Sequence, residues 1–271
     1  KVSMDKLIQK MSEIYSDLYN SNNLIHCLTN AISINDMANA VLSVNQSPFM
    51  ADNPREVEDV TKNSDSLLVN LGNITDYRIE SIKKSLRIAN ENNIPITLDL
   101  VGVSASRLRL VFTLEILQKY TITCIKGNYS EIKSLVIKDL STKGVDSKKL
   151  EVNDVINYCN NLHEKYHSIV VATGHTDIVC SDEIYLLNNG DERLSKITAT
   201  GCVVGSLIAC TLSVSQSIEA CVLAISMMNI SCEMMDKSVG LSSFKIGLYD
   251  NLSKIKWEQI KENIDAKKVE S

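Results

Sequence analysis

The chain has 271 residues, a formal net charge of −5, and 44% hydrophobic against 23% charged residues. That length can bury a sizeable core, and mild acidity with no basic cluster argues against nucleic acid as a partner. Eight cysteines, none in a C-x-x-C pair and most within apolar segments, point to buried thiols in a reducing cytoplasm and not to a disulfide framework or a zinc site.

The first six residues show charges with no apolar signal core behind them, which fits a cytoplasmic protein. Met4, Leu7, Met11, Ile14 and Leu18 then fall on one face of an opening helix. Leu24 to Leu28 reads as a short buried strand, with Thr29 and Asn30 at its end. A second helix is expected near Ser33, where Ser33 and Asp36 resemble a capping box with Asp in place of Glu. Asp52-Asn53-Pro54 predicts another helix start, with Pro at the first helical position.

From there strand, turn and helix alternate. Strands are expected over Leu67–Leu71, Ile94–Leu98, Thr121–Ile125 and Ser168–Ala172, and helices over Asp76–Asn90 and Val152–Lys165. Asn128 with Glu131 predicts a cap opening a further helix. Asp177–Cys180 and Ile184–Leu187 read as an antiparallel edge meander. Helices then follow from the turn at Gly201, over Ile218–Met235, and from Ser243 onward, with a charged tail after Lys256 that frays at its end. With no linker, repeat or low-complexity segment, this alternation predicts one α/β domain with a mostly parallel sheet.

Thr198-Ala199-Thr200-Gly201-Cys202 is the stretch around which the rest is organised. From Ile197 to Ile218 there is no Asp, Glu, Lys or Arg, and Val203, Val204, Leu207, Ile208 and Leu212 are apolar at helical spacing. Its unbroken apolar part is too short to span a membrane, so a buried helix pair is expected. A tight turn opening into such a helix leaves free N–H groups at the positive end of the dipole, a ready phosphate site. Cys202 at that end has a lowered thiol pKa on the dipole alone, whereas nearby phosphates raise it. The plain alternative is a helix start packed on a sheet, with Cys202 an inert buried residue.

Parallel sheets gather functional residues at the C-terminal ends of their strands. The polar residues there are Asn30, Asp99, Lys126-Gly127-Asn128, Glu131 and Thr173-Gly174. Asp99 suits Mg²⁺ or its water shell, or only a turn; Glu131 suits a helix cap by default. Lys126 is either a point charge for phosphate or a solvated lysine. Gly127 to Ser134 has the spacing of a P-loop, but Ile132 occupies the second glycine position, so that reading fails.

Taken in order, these segments resemble the hydroxyethylthiazole kinase family of the ribokinase-like superfamily. The match rests on His26-Cys27-Leu28-Thr29-Asn30, Asn35–Ala40, Ser47–Asp52, Leu98-Asp99 with Val101-Gly102-Val103, Lys126-Gly127-Asn128 with Ser130-Glu131-Ile132, Ala172-Thr173-Gly174 and Thr200-Gly201-Cys202. The resemblance implies a three-layer sandwich with helices on both faces of the sheet and no separate lid domain. It also implies a homotrimer with active sites at subunit interfaces. The implied reaction moves the ATP γ-phosphoryl group to the primary alcohol of 4-methyl-5-(2-hydroxyethyl)thiazole, in thiamine salvage and synthesis. By position, Cys202 is implied as the catalytic residue where most ribokinase-like enzymes carry an Asp base. Asp99 and Glu131 are implied around Mg²⁺, and Lys126, Thr173, Thr200 and Gly201 around ATP and its phosphates. Asn30, Met50 and Ala199 are implied at the substrate pocket. Lys126 stands for a usual Arg, Ala199 and Ser104 for usual glycines, and Leu100 for a usual Pro. Two alternatives stay open: another ribokinase-like small-alcohol kinase, and a non-catalytic nucleotide or thiazole binder.

Overall fold

Strand residues in this chain alternate between two apolar clusters, and that alternation builds the molecule. The computed structural model describes residues 2–140 and 150–270. Ile25, Leu68, Val171 and Val179 face one cluster, whereas Leu67, Val69, Val170, Ala172 and Ile178 face the other. Successive side chains of a strand point to opposite faces, so a strand apolar on both sides must be covered on both sides.

The elements run α1 (Val2–Tyr19), β1 (Leu24–Leu28), α2 (Ile34–Ser43), β2 (Ser47–Phe49), α3 (Val57–Lys62), β3 (Ser66–Asn70), α4 (Asp76–Glu91), β4 (Ile96–Asp99), α5 (Arg107–Lys119), β5 (Cys124–Asn128) and α6 (Tyr129–Ile137). Then follow α7 (Val152–Tyr166), β6 (Ile169–Thr173), β7 (Asp177–Cys180), β8 (Ile184–Leu187), α8 (Thr200–Leu212), α9 (Ile218–Glu233), α10 (Leu241–Lys254), α11 (Trp257–Asn263) and β9 (Ala266–Lys268). The sheet order is β2-β1-β3-β4-β5-β6-β7-β8-β9. Pairings from β2 to β6 are parallel, and those from β6 to β9 antiparallel. One face carries core residues of α1, α2 and α8–α11, and the other those of α3–α7. The mostly parallel sheet with helices on both faces is therefore as expected, as is the β7–β8 meander.

Helices α8 and α9 form the expected buried pair: every residue of α9 from Ala220 to Cys232 is buried, and α8 packs on α9, α2, β3 and β4. No helix among the described residues is long and apolar enough to cross a membrane.

Several expectations need correction. Ser33 precedes α2 but makes no side-chain cap bond; its hydroxyl turns to Met37 Sδ at 3.3 Å, so no capping box forms. Pro54 lies in a turn, stabilised by Asn53 Oδ1 accepting from Arg55 N at 2.9 Å, and α3 starts only at Val57. β5 begins three residues later than the expected strand. Helix α5 and the edge strands β2 and β9 are additions. The charged tail after Lys256 carries two further elements, α11, which packs Ile260 into the core, and β9, which pairs with β8; its last residue lies outside the described residues.

The order β2-β1-β3 reverses direction across the sheet at β1. The crevice beyond the strand ends between β1 and β3 is where open α/β sheets place ligands.

Candidate active site

Asn30 follows β1 and Asn70 ends β3, so they flank this crevice directly. Asp99 ends β4, Lys126 lies within β5 in register with Asp99, and α8 brings its first turn over all of them. A chain of hydrogen bonds ties the group together. Asn30 Nδ2 donates to Asn70 Oδ1 at 2.9 Å, and Asn70 Nδ2 faces Cys202 Sγ at 3.2 Å and Asp99 Oδ2 at 3.5 Å. Lys126 Nζ lies 3.3 and 3.2 Å from the two Asp99 oxygens and donates to Gly201 O at 2.6 Å. Asp99 and Lys126 are 0% and 3% exposed, so this is a buried ion pair.

The backbone around the cluster is fixed by its own sequence. Arg78 spans the turn after β3, donating to Asn70 O and Gly72 O at 2.6 Å each. A Cβ at Gly72 would come within 2.7 Å of Asn30 Nδ2, and one at Gly205 of α8 within 2.8 Å of Asp99 Oδ2. Glycine at these two positions lets α8 and the β3 turn close onto the polar cluster. Leu100, standing where the resemblance expects Pro, donates its N–H to Lys126 O at 2.9 Å. Proline has no such donor, so this departure extends the β4–β5 pairing. Ser104 is half-buried in the turn that follows β4.

Helix α6 shows the expected capping box: Asn128 Oδ1 accepts from Glu131 N at 2.9 Å, and Glu131 Oε2 accepts from Asn128 N at 2.8 Å. Glu131 Oε1 also accepts from Gly102 N at 2.9 Å, tying this cap to the turn after Asp99. The N-cap of α8 is Ala199, in the left-handed region at φ 75° and with no side-chain cap. Thr200 turns its hydroxyl back to Leu194 O at 2.9 Å. The first N–H groups of α8 have no partner within the helix, and Gly201 is exposed.

The electrostatics follow from burial. Burial raises the Asp99 carboxyl against the pull of Lys126, and raises Glu131 despite its two backbone donors. Burial works against the Lys126 ammonium too, but Asp99, Cys202 and Glu131 outweigh it and hold lysine above its usual value. Cys202 is the one half-buried cysteine of the eight, and the others are buried. Burial, then the Asp99 charge, push its thiol up; Lys126, Ser33 and Asn70 only partly offset them. Burial and the Asp99 charge thus outweigh the lowering by the helix end, a balance the sequence left open, and favour the thiol.

The hydrogen-bonded cluster thus unites Asn30, Asp99, Lys126, Gly201 and Cys202. Glu131 joins it through Gly102 and through the field on Lys126. Thr173, half-buried, pairs with Asn128 across β5–β6. Met50, beyond β2, packs with Cys202 against the same core. Lys126 is not a solvated lysine; its ammonium is held by Asp99 and Gly201. The sequence reading missed Asn70, the cluster's central residue. Its only signal was a polar residue closing an apolar strand, without motif spacing.

The model of the hydroxyethylthiazole kinase family matches residues 15–258. A hydroxyethylthiazole kinase from Finegoldia magna is 90% identical over 99% of this chain and 100% of its own length. One from Clostridium botulinum is 40% identical over 86% and 90% respectively. The solved hydroxyethylthiazole kinase from Pyrococcus horikoshii OT3 superposes with a TM-score of 0.88 at 29% identity, covering 97% of this chain and all of that one. A ribokinase-like superfamily protein from Enterococcus faecalis, at 12% identity and a TM-score of 0.62 over 85% of this chain and 86% of that one, shares the fold. With its site at the β1–β3 crevice, its Cys202 at the open end of α8, and these likenesses over nearly its whole length, the chain belongs to the hydroxyethylthiazole kinase family.

Proposed function

We propose that this chain transfers the γ-phosphoryl group of ATP to the primary alcohol of 4-methyl-5-(2-hydroxyethyl)thiazole, a step of thiamine synthesis and salvage. The carrying observation is the half-buried Cys202 at the uncapped start of α8, directly above the Asp99–Lys126 pair. Phosphoryl transfer needs mostly positioning and charge neutralisation, and this cluster supplies both.

The reaction implies Mg²⁺, and the donor set fits it. Asp99 and Glu131 are buried oxygen donors, both raised by burial, with Lys126 the cation that lowers each of them. Among the described residues no three His, Cys, Asp or Glu side chains form a metal cage. Mg²⁺ arriving with a nucleotide needs only one or two carboxylates, and Asp99 and Glu131 would hold it. When bound it neutralises charge on the β- and γ-phosphates.

The chain's own groups do the rest. The N–H groups of Thr200, Gly201 and Cys202 receive the transferring phosphoryl group at the helix end. Lys126 acts on it through the field beneath Gly201, since its donors are engaged. Thr173, at the end of β6, contributes to the nucleotide side, while Asn30, Met50 and Ala199 line the thiazole side. Cys202 orients the alcohol, and its minor thiolate form takes the proton late, as the new bond to phosphorus forms.

The same proposal includes one domain without a lid, a cytoplasmic location and a homotrimer with interfacial sites. Exposed apolar Ile32 and Phe49, close in sequence to Asn30 and Met50, support an interface at the thiazole side. Light scattering is then expected to give three times the chain mass. The deciding experiment is an ADP-release assay with the thiazole alcohol against a panel of pyrimidine and sugar alcohols. Turnover dependent on the thiazole alcohol is expected, and ATP binding without turnover on any alcohol overturns the reading.

A further inference from the structure

Two asparagines and the Ser33 hydroxyl meet Cys202 Sγ, and neither amide is free to flip. Asn30 Oδ1 accepts from Ile32 N at 3.0 Å and Ser33 N at 3.1 Å. These backbone donors require oxygen at that position, so Asn30 Nδ2 must face the other way. There it donates to Asn70 Oδ1 at 2.9 Å and lies 4.0 Å from Cys202 Sγ. Asn70 Oδ1 accepts a second bond, from Gly72 N at 2.9 Å. With two donors fixing its oxygen, Asn70 must turn its Nδ2 to Cys202 Sγ and Asp99 Oδ2. The backbone carbonyl of Asn70 is held in turn by Arg78, and the residue is fully buried. An amide donates only through its nitrogen, so toward both asparagines the sulfur is an acceptor.

We propose that Asn70 is a positioning residue for phosphoryl transfer, a backbone-locked amide whose N–H holds Cys202 Sγ on the alcohol and supports the sulfur when it carries charge. The inference rests on the reading of Cys202 as the group that meets the alcohol. It assigns no contact between Asn70 and substrate. As the alcohol oxygen bonds to the γ-phosphorus and the bond to the ADP oxygen breaks, the alcohol proton passes to sulfur. Before that transfer the N–H bond stabilises the anionic sulfur, and afterwards it fixes the thiol.

The test is a double-mutant cycle of Asn70→Ala and Cys202→Ala, read as kcat and as KM for ATP, with melting curves on every variant. Hydrogen bonds to charged groups are the stronger class, so Asn70→Ala is expected to lower kcat about tenfold and leave the ATP KM within about twofold. In the Cys202→Ala background, measured as residual turnover at high enzyme concentration, the same change is expected to cost nothing more, since residues acting as a unit are non-additive. Asn70→Asp keeps the acceptor that Gly72 and Asn30 use and removes the donor. It is expected to lose at least as much kcat, and it carries the test if Asn70→Ala melts near the assay temperature. A tenfold loss that persists without Cys202 means that Asn70 acts through Asp99 or the fold, and overturns the proposal. Unchanged kcat in folded Asn70 variants beside an impaired Cys202→Ala enzyme also overturns it. A fully active Cys202→Ala enzyme instead removes the underlying reading of Cys202.

Discussion

Helices α6 and α8 both start at the C-terminal edge of the sheet, and their first turns are built in opposite ways. The end of α6 is closed by its own sequence, with Asn128 and Glu131 exchanging side-chain and backbone bonds. The end of α8 has Ala199 as its cap, with no side chain to offer, and the Thr200 hydroxyl points away. Lys126 adds a buried positive charge beneath α8 by binding Gly201 O. A self-capped helix end has its donors satisfied and serves rigidity; an open end keeps donors and dipole for an anion. The contrast shows that Glu131 caps α6, whatever else it holds, whereas Cys202 stands at an open helix end.

The largest expected effect tests the charge beneath α8. Lys126→Met strands Asp99 as a buried, unpaired carboxylate, and breaking such a pair costs about 3–5 kcal/mol. The folded-state pKa of Asp99 then rises further above its unfolded value. The variant should therefore be least destabilised at acid pH and lose stability as pH rises, which denaturant titrations at pH 5 and pH 8 will show. Next comes Cys202→Ala, expected to keep its melting temperature and lose about a hundredfold in kcat, about 2.7 kcal/mol of transition-state stabilisation. Because Cys202 rests as a thiol, wild-type kcat should climb from neutral to alkaline pH. Cys202→Asp, ionised throughout, should flatten that rise in a pH–rate profile. Asn128→Ala opens the closed end of α6 and should cost about 1 kcal/mol of stability with little change in the ATP KM. A large rise in that KM would show that the Asn128 cap itself, and not only Glu131, serves the nucleotide, and the contrast would fail. The smallest effect is at Ala199, where φ 75° disfavours any side chain. Ala199→Gly relieves that strain against the added freedom of the unfolded chain, and thermal melts should show a gain of about 0.5–1 kcal/mol.

Long elements with clean periodicity were legible in the sequence. Strands β1, β7 and β8 and the starts of α4, α7 and α9 fall where alternation and flanking polar residues put them. Helix α5 was hidden because its apolar residues surround it: Leu110, Phe112 and Ile116 are buried while Leu108 and Val111 are exposed. No one-sided stripe exists to be read. β2 has only three residues and contains Pro48, which an edge strand tolerates. β9 carries Lys267 and Lys268, the charged composition that protects an edge and resembles a tail. At the site, residues at strand ends and the helix turn were legible because parallel topology dictates their place. Asn70 was not, since its bond to Cys202 spans 132 residues and exists only once the sheet has formed. The state of Cys202 was equally hidden: the dipole is local and readable, whereas burial and the Asp99 charge come from the packed structure.

The distribution of thiols also decides how this protein meets oxidants. Seven cysteines lie inside the core and Cys202 alone reaches the surface of the crevice. A peroxide is therefore expected to meet Cys202 before the seven buried thiols, and its oxidation to leave the packing of the two sheet faces untouched. If Cys202 meets the alcohol as proposed, such oxidation is expected to stop turnover without unfolding the chain, and a small thiol to reverse it at the sulfenic acid stage. The same burial that keeps Cys202 protonated slows this attack, because the thiolate is the reactive species. A sulfur that works, as proposed, only while the alcohol's proton leaves would be, between turnovers, a sulfur in reserve.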